Sequence, residues 1–92
     1  MKALPADVAA YRQTPIFDEQ TLPQALRAAH ATKAGVWARI VVVEGELRYQ
    51  LEDTGETLRL VPGVVGIAAP EEAHAVAPMG RVRFYVEFLR AP

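Results

Sequence analysis

Histidines and carboxylates are the side chains in this sequence that are best suited to metal binding or acid–base chemistry. The chain has two histidines, His30 and His74, and it has no cysteine and no serine. Two neutral imidazoles and one carboxylate form an open metal site that suits Fe(II) or, with a water ligand, Zn(II). The candidate carboxylates are Glu87 and, just before His74, Glu71 or Glu72. The missing residue types exclude disulfides, thiolate metal sites and serine or cysteine nucleophiles.

Each metal-ligand candidate also has a purely structural interpretation. In that interpretation His74 is a half-exposed loop histidine, and His30 is a hydrogen-bonded residue at the end of a helical turn. The residues on either side of Glu87 are apolar, so strand alternation places Glu87 on the face opposite the core. An exposed ion pair with Arg83 or Arg48 accounts for it there. Only a bulge, or a pocket on that outer face, makes Glu87 a site residue.

A second candidate site lies on the strand that contains the single tryptophan. Trp37 and Arg39 share one strand face with Val41 and Val43, and Lys33 lies a few residues upstream. A tryptophan and an arginine can line a pocket for a small anion, with the lysine near its entrance. Alternatively, Trp37 belongs to the core or to a subunit interface, and Arg39 binds a nearby carboxylate.

Strand and turn signals dominate the chain after residue 35. The β-branched run Val36–Val43 predicts a strand, and Glu44–Gly45 predicts a hairpin turn to a second strand. A further turn is predicted at Pro78–Gly80, before a strand with an apolar face that includes Phe84, Val86 and Phe88. Residues 22–31 predict one or two helical turns at most. Strands that recur about every 8–12 residues indicate an all-β sandwich or barrel.

Length and composition predict one domain over residues 1–92, with residues 1–14 as an extended arm. Apolar residues make up 51% and charged residues 23% of the chain, which is an ordinary globular balance. The net charge of −1 gives no electrostatic basis for binding nucleic acid or a membrane surface. The absence of cysteine favours a cytoplasmic location. Apolar outer surface and strand edges in so short a chain predict a homodimer.

Two short motifs resemble those of the cupins. Glu44–Leu47 is similar to the end of the first cupin motif, and Pro62–Gly63 followed by His74 is similar to the second. More narrowly, the stretch from Thr14 to Phe88 resembles the TehB/YeaR-like small cupin family, which is associated with tellurite resistance. This resemblance implies a cupin-type double-stranded β-helix, a jelly-roll barrel, with His30 and His74 beside one barrel mouth.

The resemblance also sets the functional hypotheses. The positions of the first-motif metal ligands fall on Ala38 and on residues 31–34, none of which can bind a metal. We therefore expect a stand-alone binding module that holds a metal ion or small anion in a stress response, with one zinc or iron at His30, His74 and Glu87. The alternatives are a metal-dependent dioxygenase or isomerase and, more weakly, a regulatory partner. Some family members precede a methyltransferase domain, which this sequence lacks, so we expect no methyl transfer by this polypeptide itself.

Overall fold

The computed structural model describes all 92 residues, and most of its regular structure is antiparallel β-sheet. Its only helix is a single turn, so the predicted all-β class with at most one short helical turn is confirmed. In chain order the elements are β1 (Ala9–Gln13), β2 (Phe17–Asp18), α1 (Gln24–Arg27), β3 (Trp37–Leu51), β4 (Thr57–Leu60), β5 (Gly66–Ala68) and β6 (His74–Arg90).

Two long antiparallel strands form the centre of the fold. β3 and β6 pair from Trp37 opposite Leu89 to Leu51 opposite His74. The strand order is β1-β6-β3-β4, with β2 added to β6 and β5 added to β3. The β-branched residues at the start of β3 favour this pleated, packed surface over a helix. Every other element of the sheet is therefore positioned by the β3–β6 pair.

The predicted turns at Glu44–Gly45 and Pro78–Gly80 do not reverse the chain, and both predictions are wrong. Both segments lie inside the long strands, where the pairing is irregular between Val42 and Leu47. Gly45 has a φ of 82°, and a Cβ placed on it would lie 1.9 Å from the carbonyl oxygen of Arg81. A glycine with positive φ serves equally well in a hairpin turn and in a bulge. The sequence signal is the same in both cases, so only the partner strand distinguishes them.

The irregular segment divides the sheet into two halves that face each other. The first half of β3 pairs with the end of β6 and with β5, and the second half pairs with the start of β6 and with β4. A Cβ placed on Gly66 in β5 would lie 2.8 Å from a methyl group of Leu60 in β4. The core lies between these halves. Its cluster contains Leu22, Ala38, Ile40, Val42, Leu47, Tyr49, Leu51, Leu60, Ala68, Val76, Val82, Phe84 and Val86.

A buried hydrogen bond also joins the two halves. The hydroxyl of Tyr49, in the second half of β3, donates to the carbonyl oxygen of Ile67 in β5 at 2.9 Å. Tyr49 is fully buried, and burial raises the pKa of its hydroxyl well above the usual 10.0. The hydroxyl therefore stays protonated and keeps its donor role. None of the helical residues forms a segment long and apolar enough to cross a membrane.

Gly45→Ala is expected to destabilise the fold strongly, because the new methyl group would collide with the backbone of Arg81 as well as strain a positive φ. Gly55→Ala is the matched control, since Gly55 also has a positive φ but has open space around its Cβ position. In urea unfolding, we expect Gly55→Ala to lower the free energy of unfolding by about 1–2 kcal/mol. Gly45→Ala should lower it by at least about 2 kcal/mol more. Equal losses would contradict the close approach of β3 and β6.

Candidate functional site

The two histidines meet across an isolated β-bridge. His30 follows α1, and His74 is the first residue of β6. The backbone N–H of His30 donates to the carbonyl oxygen of His74 at 3.0 Å, and the N–H of His74 donates back to His30 at 2.8 Å. Their ring centroids lie 4.2 Å apart with the planes tilted by 57°. The structure therefore brings together the two histidines that the sequence analysis selected.

Backbone contacts fix the tautomer of both imidazole rings. Nδ1 of His30 lies 3.0 Å from the carbonyl oxygen of Ala28, and Nδ1 of His74 lies 2.9 Å from that of Glu72. A carbonyl oxygen can only accept a hydrogen bond, so each neutral ring carries its proton on Nδ1. Nε2 of each ring is then a hydrogen-bond acceptor.

His74 is the more buried member of the pair. Its residue surface is 3% exposed, and the edge of the Tyr49 ring packs against it with centroids 5.7 Å apart. Burial lowers the pKa of His74, and the neighbouring His30 lowers it further, against an opposing effect of the hydrogen bond to Glu72. The neutral imidazole is therefore the favoured form near neutral pH.

The histidine pair opens onto an apolar cavity between the two halves of the sheet. Its volume is about 260 Å³. Strand β6 contributes a row of alternate residues to its wall, and α1 and the segments around it close the opposite side. The wall contains no aspartate or glutamate. The complete lining is Arg12, Thr14, Phe17, Pro23, Leu26, His30, Thr32, Ala38, Ile40, His74, Val76, Phe84, Val86 and Phe88.

A shallower groove of about 210 Å³ continues from the cavity. It contains charged side chains that form no ion pair within the chain. Arg12, Thr32 and Phe88 line both the cavity and the groove, and Lys33 lines the groove alone. The guanidinium of Arg12 lies 6.0 Å from the ring centroid of Phe88. Lys33, predicted to bind a ligand, thus lies beside the cavity but outside its wall.

Glu87, Arg39 and Trp37 lie away from the histidine pair. Nε of Arg39 donates to Oε1 of Glu87 at 2.9 Å, across directly paired positions of β3 and β6. Neither residue lines the cavity, and neither does Trp37, which pairs with Leu89. The physical reason is strand parity: Ala38, between Trp37 and Arg39, is the residue that turns inward.

No group of three histidine, aspartate or glutamate side chains in the structure could hold a metal ion. The histidine pair lacks a third ligand because the wall around it is apolar and Glu87 is engaged by Arg39. Two imidazoles alone do not make the three-ligand set that an open zinc or iron site uses.

Several residues of the cavity were not selected from the sequence. Arg12, Phe17 and Leu26 lie in or near the weakly patterned N-terminal segment, where no periodicity indicated a role. The signal that could have found part of the wall is the alternation in the last strand. It correctly placed Phe84 and Phe88 on one face, and that face lines the cavity.

Comparison with known proteins identifies the family. The profile of the TehB-like domain matches residues 12–86. The chain belongs to the TehB-like domain family. The TehB-like recognition made from sequence is thus confirmed, and the association with tellurite resistance that it implied is supported.

The relatives of this TehB-like domain are of two lengths. The probable S-adenosyl-L-methionine-dependent methyltransferase TehB of Haemophilus influenzae strain Rd is 32% identical over 53 residues, which are 56% of this chain and 18% of TehB. The crystal structure of H. influenzae TehB superposes with a TM-score of 0.83 at 23% identity, covering 94% of this chain and 32% of that one. A crystal structure of an Escherichia coli K12 protein superposes with a TM-score of 0.89 at 24% identity. The match covers 100% of this chain and 99% of the E. coli chain. The chain therefore spans only a minor part of TehB.

These relatives correct two predictions. A cupin module that holds a metal ion or small anion, and its alternative of a metal-dependent cupin enzyme, are wrong because the curated relatives are named as probable S-adenosyl-L-methionine-dependent methyltransferases. The divalent metal cofactor is wrong for the same reason, and the structure offers no three-ligand cluster for it.

The stability of the TehB-like domain is expected to fall at mildly acidic pH. Because burial lowers the pKa of His74 below its usual 6.5, the unfolded chain takes up a proton at this group before the folded protein does. The contribution of His74 to the free energy of unfolding is therefore constant above about pH 7. Below about pH 6.5 this contribution decreases, by up to about 1.4 kcal/mol per pH unit. Urea unfolding between about pH 8 and pH 5.5 measures this. An equally steep fall in His74→Gln would contradict it.

Proposed function

We propose that this TehB-like domain binds the small organic molecule that accepts the methyl group in S-adenosylmethionine-dependent methyl transfer. In this proposal the domain holds the acceptor and another part of the system holds S-adenosylmethionine and transfers the methyl group. The observation that carries the proposal is the apolar cavity of about 260 Å³ with two imidazoles in its wall.

The division of labour is supported by the share of TehB that the chain spans. The structural match covers 32% of the TehB chain, so about two thirds of TehB lies outside it. Cofactors that contain a nucleoside are commonly held at the ends of parallel strands, next to the N-terminus of a helix. Here the sheet is antiparallel and the single helix, α1, has four residues. A separate region for S-adenosylmethionine agrees with this fold.

The cavity itself does not fit S-adenosylmethionine. That molecule combines an adenosine with a methionine and carries a positive sulfonium, whereas the wall has no carboxylate to bind a ribose hydroxyl or to balance the sulfonium. The charged group at its edge is Arg12, which repels a cation. Pockets for drug-sized ligands usually measure about 300–1,000 Å³, and this cavity is smaller. In this proposal the cavity is therefore not the site of methyl transfer.

A single-ring molecule suits the cavity much better. An apolar cavity of roughly 150 Å³ is large enough to bind benzene, so about 260 Å³ accommodates a ring with a small substituent. The side chains of Phe17, Phe84 and Phe88 offer aromatic contacts to such a ring. Burial against these walls supplies the main favourable free energy of binding.

Three finer features are also proposals. The two facing halves of the sheet support a cupin-type double-stranded β-helix. The exposed edge strand β1, in which every residue is exposed, supports a homodimer that covers this edge. Light scattering after size exclusion should give twice the mass of the chain at micromolar concentration, and the mass of one chain would contradict the dimer. A cytoplasmic location is supported by the absence of cysteine.

Isothermal titration calorimetry with phenol and with S-adenosylmethionine tests the proposed function. We expect phenol to bind with one site per chain and a Kd of roughly 0.1–1 mM, and S-adenosylmethionine not to bind. Ala38→Leu and Leu26→Trp fill the cavity and should weaken phenol binding at least about tenfold. Val41→Leu, on the outer face of β3, is the matched control and should leave binding unchanged.

Three outcomes would contradict the proposed function. The first is saturable binding of S-adenosylmethionine that Ala38→Leu and Leu26→Trp abolish, because the cavity would then be the cofactor site. The second is phenol binding that is absent, or that is unaffected by both cavity-filling variants. Incubation of the protein with S-adenosylmethionine and thiophenol should also yield no S-adenosylhomocysteine; its formation would assign methyl transfer to this chain.

A further inference from the structure

We propose that His30 and His74 recognise the hydrogen of the acceptor's hydroxyl or thiol group, so that the cavity binds the acceptor before methylation and releases it afterwards. This inference rests on the proposed function and names its substrate class. The ligand is a small, uncharged, mainly apolar molecule with an O–H or S–H group at one end. Its methylated product is an ether or a thioether, which keeps the apolar body and loses the hydrogen.

The donor hydrogens of the threonine hydroxyls in the cavity wall are already used in hydrogen bonds within the protein. The hydroxyl of Thr14 donates to the carbonyl oxygen of Pro15 at 2.9 Å and accepts from the N–H of Val86 at 3.0 Å. The hydroxyl of Thr32 donates to the carbonyl oxygen of Val36 at 2.6 Å. Neither threonine therefore has a donor hydrogen left for a ligand. Each threonine oxygen keeps a lone pair, but an imidazole nitrogen is the more basic acceptor, so an O–H or S–H donor is expected to bind the histidine pair.

The Nε2 atoms of both histidines are free to accept. Both Nδ1 atoms are used in hydrogen bonds to backbone carbonyl oxygens, and no side chain or backbone group donates to either Nε2. Every fully buried side-chain nitrogen in the structure has a hydrogen-bond partner. Because Nε2 of His74 has no partner, it is not fully buried and must reach open space, although the residue as a whole is only 3% exposed. The open space next to His74 is the cavity that it lines.

Two neighbouring acceptors make the wall selective for donors. An O–H or S–H group gives its hydrogen to one Nε2, which satisfies an acceptor that is otherwise left unpaired in an apolar wall. An ether or thioether in the same position turns lone pairs toward the imidazole lone pairs. That arrangement forms no hydrogen bond and adds repulsion. A binding site built around a hydrogen bond rejects an analogue that lacks the hydrogen-bonding group, because the polar group of the protein then stays unpaired.

Two structural features keep the pair in the accepting state. The backbone carbonyl oxygens of Ala28 and Glu72 hold each proton on Nδ1, away from the Nε2 edge. The mutual backbone hydrogen bonds of His30 and His74 hold the two rings side by side. Protonation of both rings, whose centroids are 4.2 Å apart, would place two positive charges side by side, which disfavours the doubly protonated form.

Calorimetric titration with phenol, anisole and toluene tests this inference on the wild-type protein. Anisole is methylated phenol, and toluene has the size of phenol without a polar atom. We expect phenol to bind about tenfold more tightly than either of the others at about pH 7.5. His30→Leu and His74→Leu each remove one acceptor and should reduce this preference to about twofold to threefold. Gln24→Leu, on α1 and outside the wall, is the matched control and should keep the full preference.

The possible results separate this inference from the proposed function. If anisole and toluene bind as tightly as phenol, the inference is overturned while the cavity remains a binding site. If none of the three binds, the proposed function fails as well. His30 is partly exposed, so His30→Leu is expected to fold even if His74→Leu does not. An unchanged preference for phenol in folded His30→Leu and His74→Leu would assign the recognition to another group and overturn the role of the pair.

Discussion

The structure depends on the close approach of β3 and β6 at Gly45. At this position the backbone of β3 lies so near the carbonyl oxygen of Arg81 that no side chain fits between them. The irregular pairing there lets both strands continue while the two halves of the sheet turn toward each other. The core, the hydrogen bond from Tyr49 to Ile67 and the apolar cavity all lie between these halves. Without the bend, the start of β6 would not return to the segment that carries His30.

Strand alternation predicted much of the sheet but not its topology. Alternation correctly predicted that Phe84, Val86 and Phe88 of β6 share the inward face. The same alternation placed Glu87 on the outer face. The hairpin turn predicted at Gly45 was wrong because glycine content alone does not distinguish a reversal from a bulge within a continuing strand. Local sequence fixes which residues can occupy such a position, whereas the long-range partner decides what the chain does there.

The candidate site was predictable only in part. The proximity of His30 and His74 followed from resemblance to a family, since neither spacing nor periodicity links the two positions. The metal ion that was placed between them was wrong because the site lacks a third ligand, and Arg39 holds the nearest predicted carboxylate on the other face. The N-terminal wall, which includes Arg12 and Phe17, could not be found because that segment is placed by pairing with β6 rather than by its own pattern.

The same fold occurs in proteins of very different length. It accounts for nearly all of an E. coli protein and for about a third of H. influenzae TehB. The fold likeness agrees with the proposal that this domain binds the acceptor and that another part of the system transfers the methyl group.

In the proposed complex, an uncharged hydroxyl compound binds between the facing halves of the sheet, against the histidine pair. A crystal structure of the protein soaked with 4-bromophenol tests this, because the bromine can be located by its anomalous signal. We expect bromine inside the cavity among Phe84, Val86 and Phe88, with the phenol oxygen within hydrogen-bond distance of Nε2 of His30 or His74. Bromine found only on the outer surface, or imidazole rings that lie apart, would contradict it.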